Sequence, residues 1–314
     1  MVAAKTTADL LTEVREQCQL PDADGRLDSD GILRLGSQRL TSAIANMLVS
    51  LRQERWVTTH TDVTIVSGTA SYRIPSRALA AGVADILIRE TASGTEWSAN
   101  EIPAVDRWRY SAGAHGYSRA PWSYTWEGDH IVLLPTPDAS GYTLRIRYPR
   151  QPARLVQTSA AALITSTPTS IKAVVSSVPS AFGSAATVDV VEGTPHGDVL
   201  LADKSATISG TDVTITAGLG SEVAAGDYVC LAGQTCVPPI PELVWPLLVA
   251  ETSLAVLRAV GDPEGIADAR ERLAEERVHV RNVLAPRNRG ESQKLVNHYS
   301  ALRGGRFPSA SRAR

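Results

Sequence analysis

The chain has 314 residues, 43% hydrophobic and 20% charged, with a formal net charge of −2. That length suits about two domains with a real core, and the low hydrophobicity and high charge of a disordered chain are missing. No stretch approaches the roughly 18 uninterrupted apolar residues of a membrane span. Residues 1–17 lack a secretion-signal pattern, and three scattered cysteines (Cys18, Cys230, Cys236) make no disulfide framework, so a soluble protein of a reducing compartment is expected.

In chain order, residues 6–9 offer a capped helix start, and Leu10, Val14 and Cys18 recur at helical spacing. Residues 20–25 break that helix. Asp30 is placed to cap a longer one, in which Leu33, Leu40, Ile44, Met47, Leu48 and Leu51 form a stripe wide enough for a bundle interior. From Trp56 the period becomes two. A Thr/Val strand over 57–66 turns at 67–69 and returns over 71–74 as a hairpin. Residues 85–89 and 96–101 form a second hairpin, 103–110 a short helix, and 121–126 with 130–134 a third hairpin. The strand 142–148 alternates Leu144, Ile146 and Tyr148 with Arg145 and Arg147, giving one buried face and one wet face.

Residues 157–237 differ in kind, holding no arginine and nine charged residues in 81. Strand-like runs at 171–175, 187–191, 213–216 and 228–231 fit a small barrel or sandwich. A low-complexity linker is the alternative, but β-branched runs at regular bounds favour the β-domain. From 242 the helical period resumes. Gly261-Asp262-Pro263 stops one helix and starts another that carries Ile266, Leu273 and Val280, predicting an antiparallel helical hairpin. The terminal helices bury their stripes most simply against one another. The predicted fold is therefore α+β: a helical bundle from the N- and C-terminal helices packed with an antiparallel sheet, an inserted small all-β domain, and an extended C-terminal tail. Its segments are 1–156, 157–237, 238–285 and 286–314.

Chemical signatures are few. The sequence has no HExxH, CxxC, GxxxxGK[ST] or GxSxG. Cys230 and Cys236 read as small buried hydrophobes, and Gly218-Leu219-Gly220 as a turn. Glu264, Asp268, Glu271, Glu275 and Glu276 interleave with Arg270, Arg272 and Arg277, which reads as a solvated, ion-paired helix face. The expectation is no enzyme, with no catalytic, cofactor-binding or metal-binding residue.

Two features remain. Nine of the sixteen aromatics lie between Trp97 and Tyr148. Trp108, Tyr110, Tyr117, Trp122, Tyr124 and Trp126 among them fit either a protein interface or the sheet's own cover, with base stacking behind both because the body is acidic. The other feature is the tail. Residues 286–314 carry +6, which leaves −8 on residues 1–285. Arg287, Arg289, Lys294, Arg303, Arg306, Arg312 and Arg314 alternate with Leu295, Tyr299, Leu302 and Phe307, which suits an arm that orders on a partner better than a merely solvated end.

The order of helical start, Trp56 with a Thr/Val hairpin, Ser71-Tyr72-Arg73-Ile74-Pro75, the run from Pro121 to Pro135, Tyr142 to Tyr148 and a closing helix pair is informative. It resembles the head–tail adaptor (connector) proteins of short-tailed bacteriophages over about 1–156 and 238–285, with 157–237 as a departure. The resemblance implies a dodecameric ring, assembled in the host cytoplasm, between the portal protein and the tail nozzle. Such a ring extends a channel through which DNA passes without sequence-specific binding, and its C-terminal arm docks on the portal. No cofactor and no membrane are implied. A nucleic-acid-binding phage protein using the basic tail is the alternative. A glycan-binding or wall-degrading virion protein ranks lower, since 157–237 holds only Phe182 and Tyr228 as aromatics.

Overall fold

A computed structural model describes residues 5–20, 27–51, 58–79, 82–110, 121–194 and 197–284, apart from the side chains of 108–110. Helix α1 (Thr7–Cys18) starts where predicted. The Asp9 carboxylate accepts from the Thr6 N–H at 2.7 Å and the Thr6 hydroxyl at 2.9 Å. Helix α2 (Ser29–Arg39) is capped by Asp28 rather than Asp30: Asp28 Oδ1 accepts from the Gly31 N–H at 2.8 Å. Asp30 sits in the first turn, where the helix dipole favours a carboxylate. The helix widens into a π turn (Leu40–Ala45) and closes as α3 (Asn46–Ser50). The stripe survives that turn, with Leu33, Leu40, Ile44 and Leu48 all buried.

Eight strands follow: β1 (Thr58–Thr64), β2 (Ser71–Arg73), β3 (Asp85–Glu90), β4 (Glu96–Ser98), β5 (Asn100–Glu101), β6 (Ser123–Glu127), β7 (His130–Leu134) and β8 (Tyr142–Pro149). They make two four-stranded sheets, ordered β1-β8-β3-β4 and β2-β7-β6-β5. The β3–β4 and β6–β7 hairpins are as predicted, and β5 runs parallel to β6. The predicted β1–β2 hairpin is absent. Residues 67–69 instead carry the chain from one sheet to the other, because β1 pairs with β8 over seven residues, more than the three of β2 offer.

The sheets cover one another. Ile86, Ile88, Leu144 and Ile146 of the first meet Tyr72, Ile131 and Leu133 of the second in one cluster. On the wet face, Arg145 Nε and Nη2 each donate to Asp62 at 2.8 Å, and Nη1 donates to Glu96 at 2.6 Å. One guanidinium thus ties β1, β8 and β4 together. Its hydrogen bonds hold the Asp62 carboxyl below the usual carboxylate range.

The helices close a second core. Helix α4 (Trp245–Val260) is its centre, packed by α1, α2 and α5 (Pro263–Leu284). Glu242–Val260 is long and apolar enough to cross a membrane, yet 72% of that window is buried inside the protein, which makes it a core helix. Gly261, at φ 83°, ends α4, and Asp262 Oδ1 accepts from the Glu264 and Gly265 N–H groups at 3.2 Å. The fold is mixed α+β, but its helical and sheet cores are distinct, unlike the predicted packing of a bundle on one sheet. Each sheet finds its apolar cover in the other, so the helices are left to cover themselves.

Between β8 and α4 lie β9 (Arg154–Leu155), β10 (Ala162–Thr169), β11 (Lys172–Val175), β12 (Ala185–Val191), β13 (Val199–Ser209), β14 (Asp212–Ile215), β15 (Tyr228–Leu231) and β16 (Gln234–Thr235). Six of these close a barrel in the order β10-β11-β14-β13-β12-β15, filled by Ile164, Val175, Phe182, Val188, Val190, Val213, Ile215 and Val229. A linker is thereby excluded. The four predicted runs reappear as β11, β12, β14 and β15, while β10 and β13 went unread because Ser, Thr, Ala and Lys dilute their β signal.

Candidate functional site

Strand β12 alternates. Val188 and Val190 fill the barrel, so Asp189 and Val191 point out of it, as does Cys230 opposite Asp189 on β15. Outward residues of a bare barrel would be wet, yet all three are 0% exposed because the rest of the protein covers them. Asp189 centres the contact. Its Oδ2 accepts from Arg77 Nη1 at 2.7 Å and from the Gly233 N–H at 3.0 Å, and its Oδ1 accepts from the Asp203 N–H at 2.8 Å. Arg150 Nη2 lies 3.7 Å away, and Arg77 Nη2 also donates to Asp203 at 2.5 Å.

Arg77 follows β2 and Arg150 follows β8, so the two sheets hold the barrel through two guanidinium groups on one buried carboxylate. Burial pulls the Arg150 pKa down against the raising effect of Asp189, and the group stays protonated as arginine does in proteins. Asp203 has φ 53°, a left-handed conformation that aspartate tolerates and that accompanies the bond from its N–H to Asp189.

Beside this clamp, Ala161, Val191, Cys230, Cys236 and Val237 form a small apolar cluster. The chains leading into and out of the barrel pair as β9 and β16, and both are laced to the helices. The Thr7 N–H donates to the Cys236 carbonyl at 2.8 Å, the Thr7 hydroxyl to the Val156 carbonyl at 2.7 Å, and the Leu155 N–H to Ser37 Oγ at 2.8 Å. Hydrogen bonding with Cys230, then burial, push the Cys236 thiol up, so it stays protonated. Both cysteines are free and buried, as expected.

The predicted surface residues fare differently. Tyr124 and Trp126 meet edge to face at 5.4 Å and 84° and pack half-buried on the sheet core. Trp122, just before β6, is half-buried too. Trp108 and Tyr110 close a 3-10 helix (Ala104–Tyr110), with side chains outside the described residues. Tyr117 and the arm residues from Arg287 to Arg314 also lie outside them. Among the described residues no group of three or more His, Cys, Asp and Glu is arranged to hold a metal ion. Sequence reasoning missed Asp189, Arg77 and Arg150. The available signal was a lone carboxylate in the run Val188-Asp189-Val190-Val191, where a strand that fills a core accepts a charge only when it is paired.

Here Arg77 and Arg150 meet Asp189 in ion pairs that join the two sheets to the barrel. The chain belongs to the SU10 adaptor protein family, whose model matches residues 5–190. It is accordingly a phage adaptor, from a family of structural virion proteins rather than enzymes, placed at the head–tail junction among other head and tail proteins. The match runs past residue 156 to β12, taking in both sheets and the first three barrel strands, and stops short of α4. No curated protein matches the chain.

Proposed function

We propose that copies of this chain form a homo-oligomeric ring, twelve-membered by resemblance, that joins the portal to the tail nozzle and extends the DNA channel. The family match across the N-terminal helices and both sheets carries this reading. The ring assembles in the host cytoplasm, and an acidic body of −8 lets DNA pass without adhering. The barrel is an inserted domain on the adaptor core, and Trp108, Tyr110, Tyr117, Trp122, Tyr124 and Trp126 border a subunit or tail interface. Electron microscopy of the protein mixed with portal rings tests the whole. Coaxial ring density on the portal is expected, and bare portals at every concentration would overturn it.

The arm is assigned to the portal. Its arginines make bidentate bonds to carboxylates, and Leu295, Tyr299, Leu302 and Phe307 add apolar specificity. Ordering such a segment costs about 2–5 kcal/mol, which many copies around a ring offset through avidity. Truncation after Ala285 is expected to abolish co-sedimentation with portal rings while leaving the melting temperature unchanged. Equal binding by the truncated form refutes the assignment.

The inserted domain has its own test. Ala162 pairs with Val229 across the barrel seam, so a two-residue Gly-Gly turn can replace 163–228. The shortened protein is expected to melt cooperatively at a lower temperature. Loss of a cooperative transition would show the barrel to be integral to the core.

A further inference from the structure

Three consecutive residues of α4 meet three different helices. Glu251 accepts from Arg277 of α5, Thr252 lies against Gly36 of α2, and Ser253 bonds Gln17 of α1. Successive helical residues are about 100° apart, so α2 and α5 occupy different flanks of α4. The α2 flank presents a cleft lined by arginines and the α5 flank a row of carboxylates.

On the α2 flank, a cleft of about 670 Å³ opens between the end of α2, the π turn and β9. Arg39, Arg154 and the polar side chains of Gln38, Ser42 and Gln151 line it, and among the described residues no carboxylate does. Arg77 also reaches it but is committed to Asp189 and Asp203. Arg39 and Arg154 have no ion-pair partner among the described residues.

On the other flank, Glu264, Asp268, Glu271 and Glu275 are spaced four, three and four apart along α5, which sets them on one face. All four are exposed, and the face opposite holds the buried Ala269, Leu273 and Val280. The ion-paired surface expected from the sequence is not formed. Arg277 turns inward to Glu251 at 2.5 Å, and none of the four carboxylates pairs with a cation among the described residues. Val278, 58% exposed, continues the same face. Like charges at this spacing repel one another, and an opposite surface relieves them.

We infer that the acidic face of α5 in one copy docks into the Arg39–Arg154 cleft of the next copy. The inference deepens the ring reading and rests on it. A closed ring needs two different, complementary surfaces on every protomer, and these two have opposite charge and sit on different flanks. Guanidinium groups take carboxylates bidentately, which fixes orientation as well as attraction, and Val278 adds an apolar contact.

Charge reversal tests the pairing on the full-length protein, by sedimentation velocity at low and moderate salt, alone and with portal rings. Arg39→Glu/Arg154→Glu and Glu271→Lys/Glu275→Lys are each expected to weaken self-association at least about tenfold. An equimolar mixture of the two should restore it, since each altered face then finds a matching one, and so should the fourfold variant. Wild-type protein that stays monomeric in both settings brings down the ring reading itself. Wild-type association matched by either variant, or weakening that neither mixture nor fourfold variant repairs, overturns the pairing alone. So does loss of duplex DNA binding by the arginine variant with normal self-association, which would make the cleft a phosphate site. If a reversed variant melts early, Arg39→Gln/Arg154→Gln and Glu271→Gln/Glu275→Gln take its place, and undiminished association by both neutral variants again overturns the pairing.

Discussion

Gly193→Ala is expected to abolish the cooperative unfolding of the barrel. A Cβ at this position would lie 1.9 Å from the Gly226 carbonyl oxygen and 2.8 Å from its carbon, both backbone atoms that no rotamer change can move. The neighbourhood is tightly bonded. Asp227 accepts from the Gly193 N–H at 2.9 Å and the Ala224 N–H at 2.8 Å, while the Gly226 N–H and the Asp227 carbonyl both bond Ile164 across the seam. Relieving the clash separates β12 from the 224–227 turn and breaks several of these bonds, each costing about 1–3 kcal/mol when its partners stay buried. A loss of about 4 kcal/mol or more follows, at the far end of what single substitutions do. Gly210→Ala is the control. Open space surrounds that position, and a left-handed φ of 61° is the only obstacle, worth about 1–2 kcal/mol. Urea unfolding followed by circular dichroism separates them, and equal midpoints for the two variants would refute the close approach at Gly193.

That contact illustrates what a sequence conceals. Gly193 follows a β-branched run and reads as an ordinary turn signal; the carbonyl that forbids a side chain lies 33 positions later. Local features were legible. The start at Thr6, the Gly261-Asp262-Pro263 punctuation, the alternation through Tyr148 and the hairpins at 85–101 and 123–134 depend on neighbours a few residues apart. Pairing choices were not. The segments 57–66 and 71–74 look like a hairpin because they are adjacent, yet β1 finds its register with β8, some eighty residues on. The second sheet was invisible for the same reason. Phage adaptor character could be read from the order of aromatic, strand and turn residues, whereas the residues that hold barrel to core belong to no pattern. Arg77, Arg150 and Asp189 converge only once two sheets and a barrel exist to carry them.

Asp189→Ala is expected to cost about 3–5 kcal/mol, because it leaves two guanidinium groups with little exposure and no buried counter-charge. Arg77 and Arg150 side chains are 19% and 12% exposed, against 0% for Asp189. The Asp203 and Gly233 N–H groups lose their acceptor at the same time. Much of the cost therefore lies in stranded partners rather than in the ion pair itself, and that distinction can be measured. Adding Arg77→Met and Arg150→Met to Asp189→Ala removes the stranded charges and should recover part of the loss, since an apolar replacement of a buried pair is often neutral or better. A cycle built from Asp189→Ala and Arg77→Met should show coupling of about 1–3 kcal/mol, as expected for residues in one network. Because Asp189 points out of the barrel, its interior packing through Val188 and Val190 should survive, and the change should appear at the seam. Limited proteolysis is then expected to cut near 156 and 232 in the variant sooner than in the wild type. In a ring of the kind proposed, the same variant should blur the barrels while the adaptor core stays sharp, because the Arg77–Asp189 contact is one of the bonds that hold each barrel to the sheets. A variant that unfolds at the wild-type urea midpoint, with unchanged cleavage at both connections, would mean that the apolar cluster around Cys236 and the lacing at Thr7 and Ser37 hold the barrel without the ion pair.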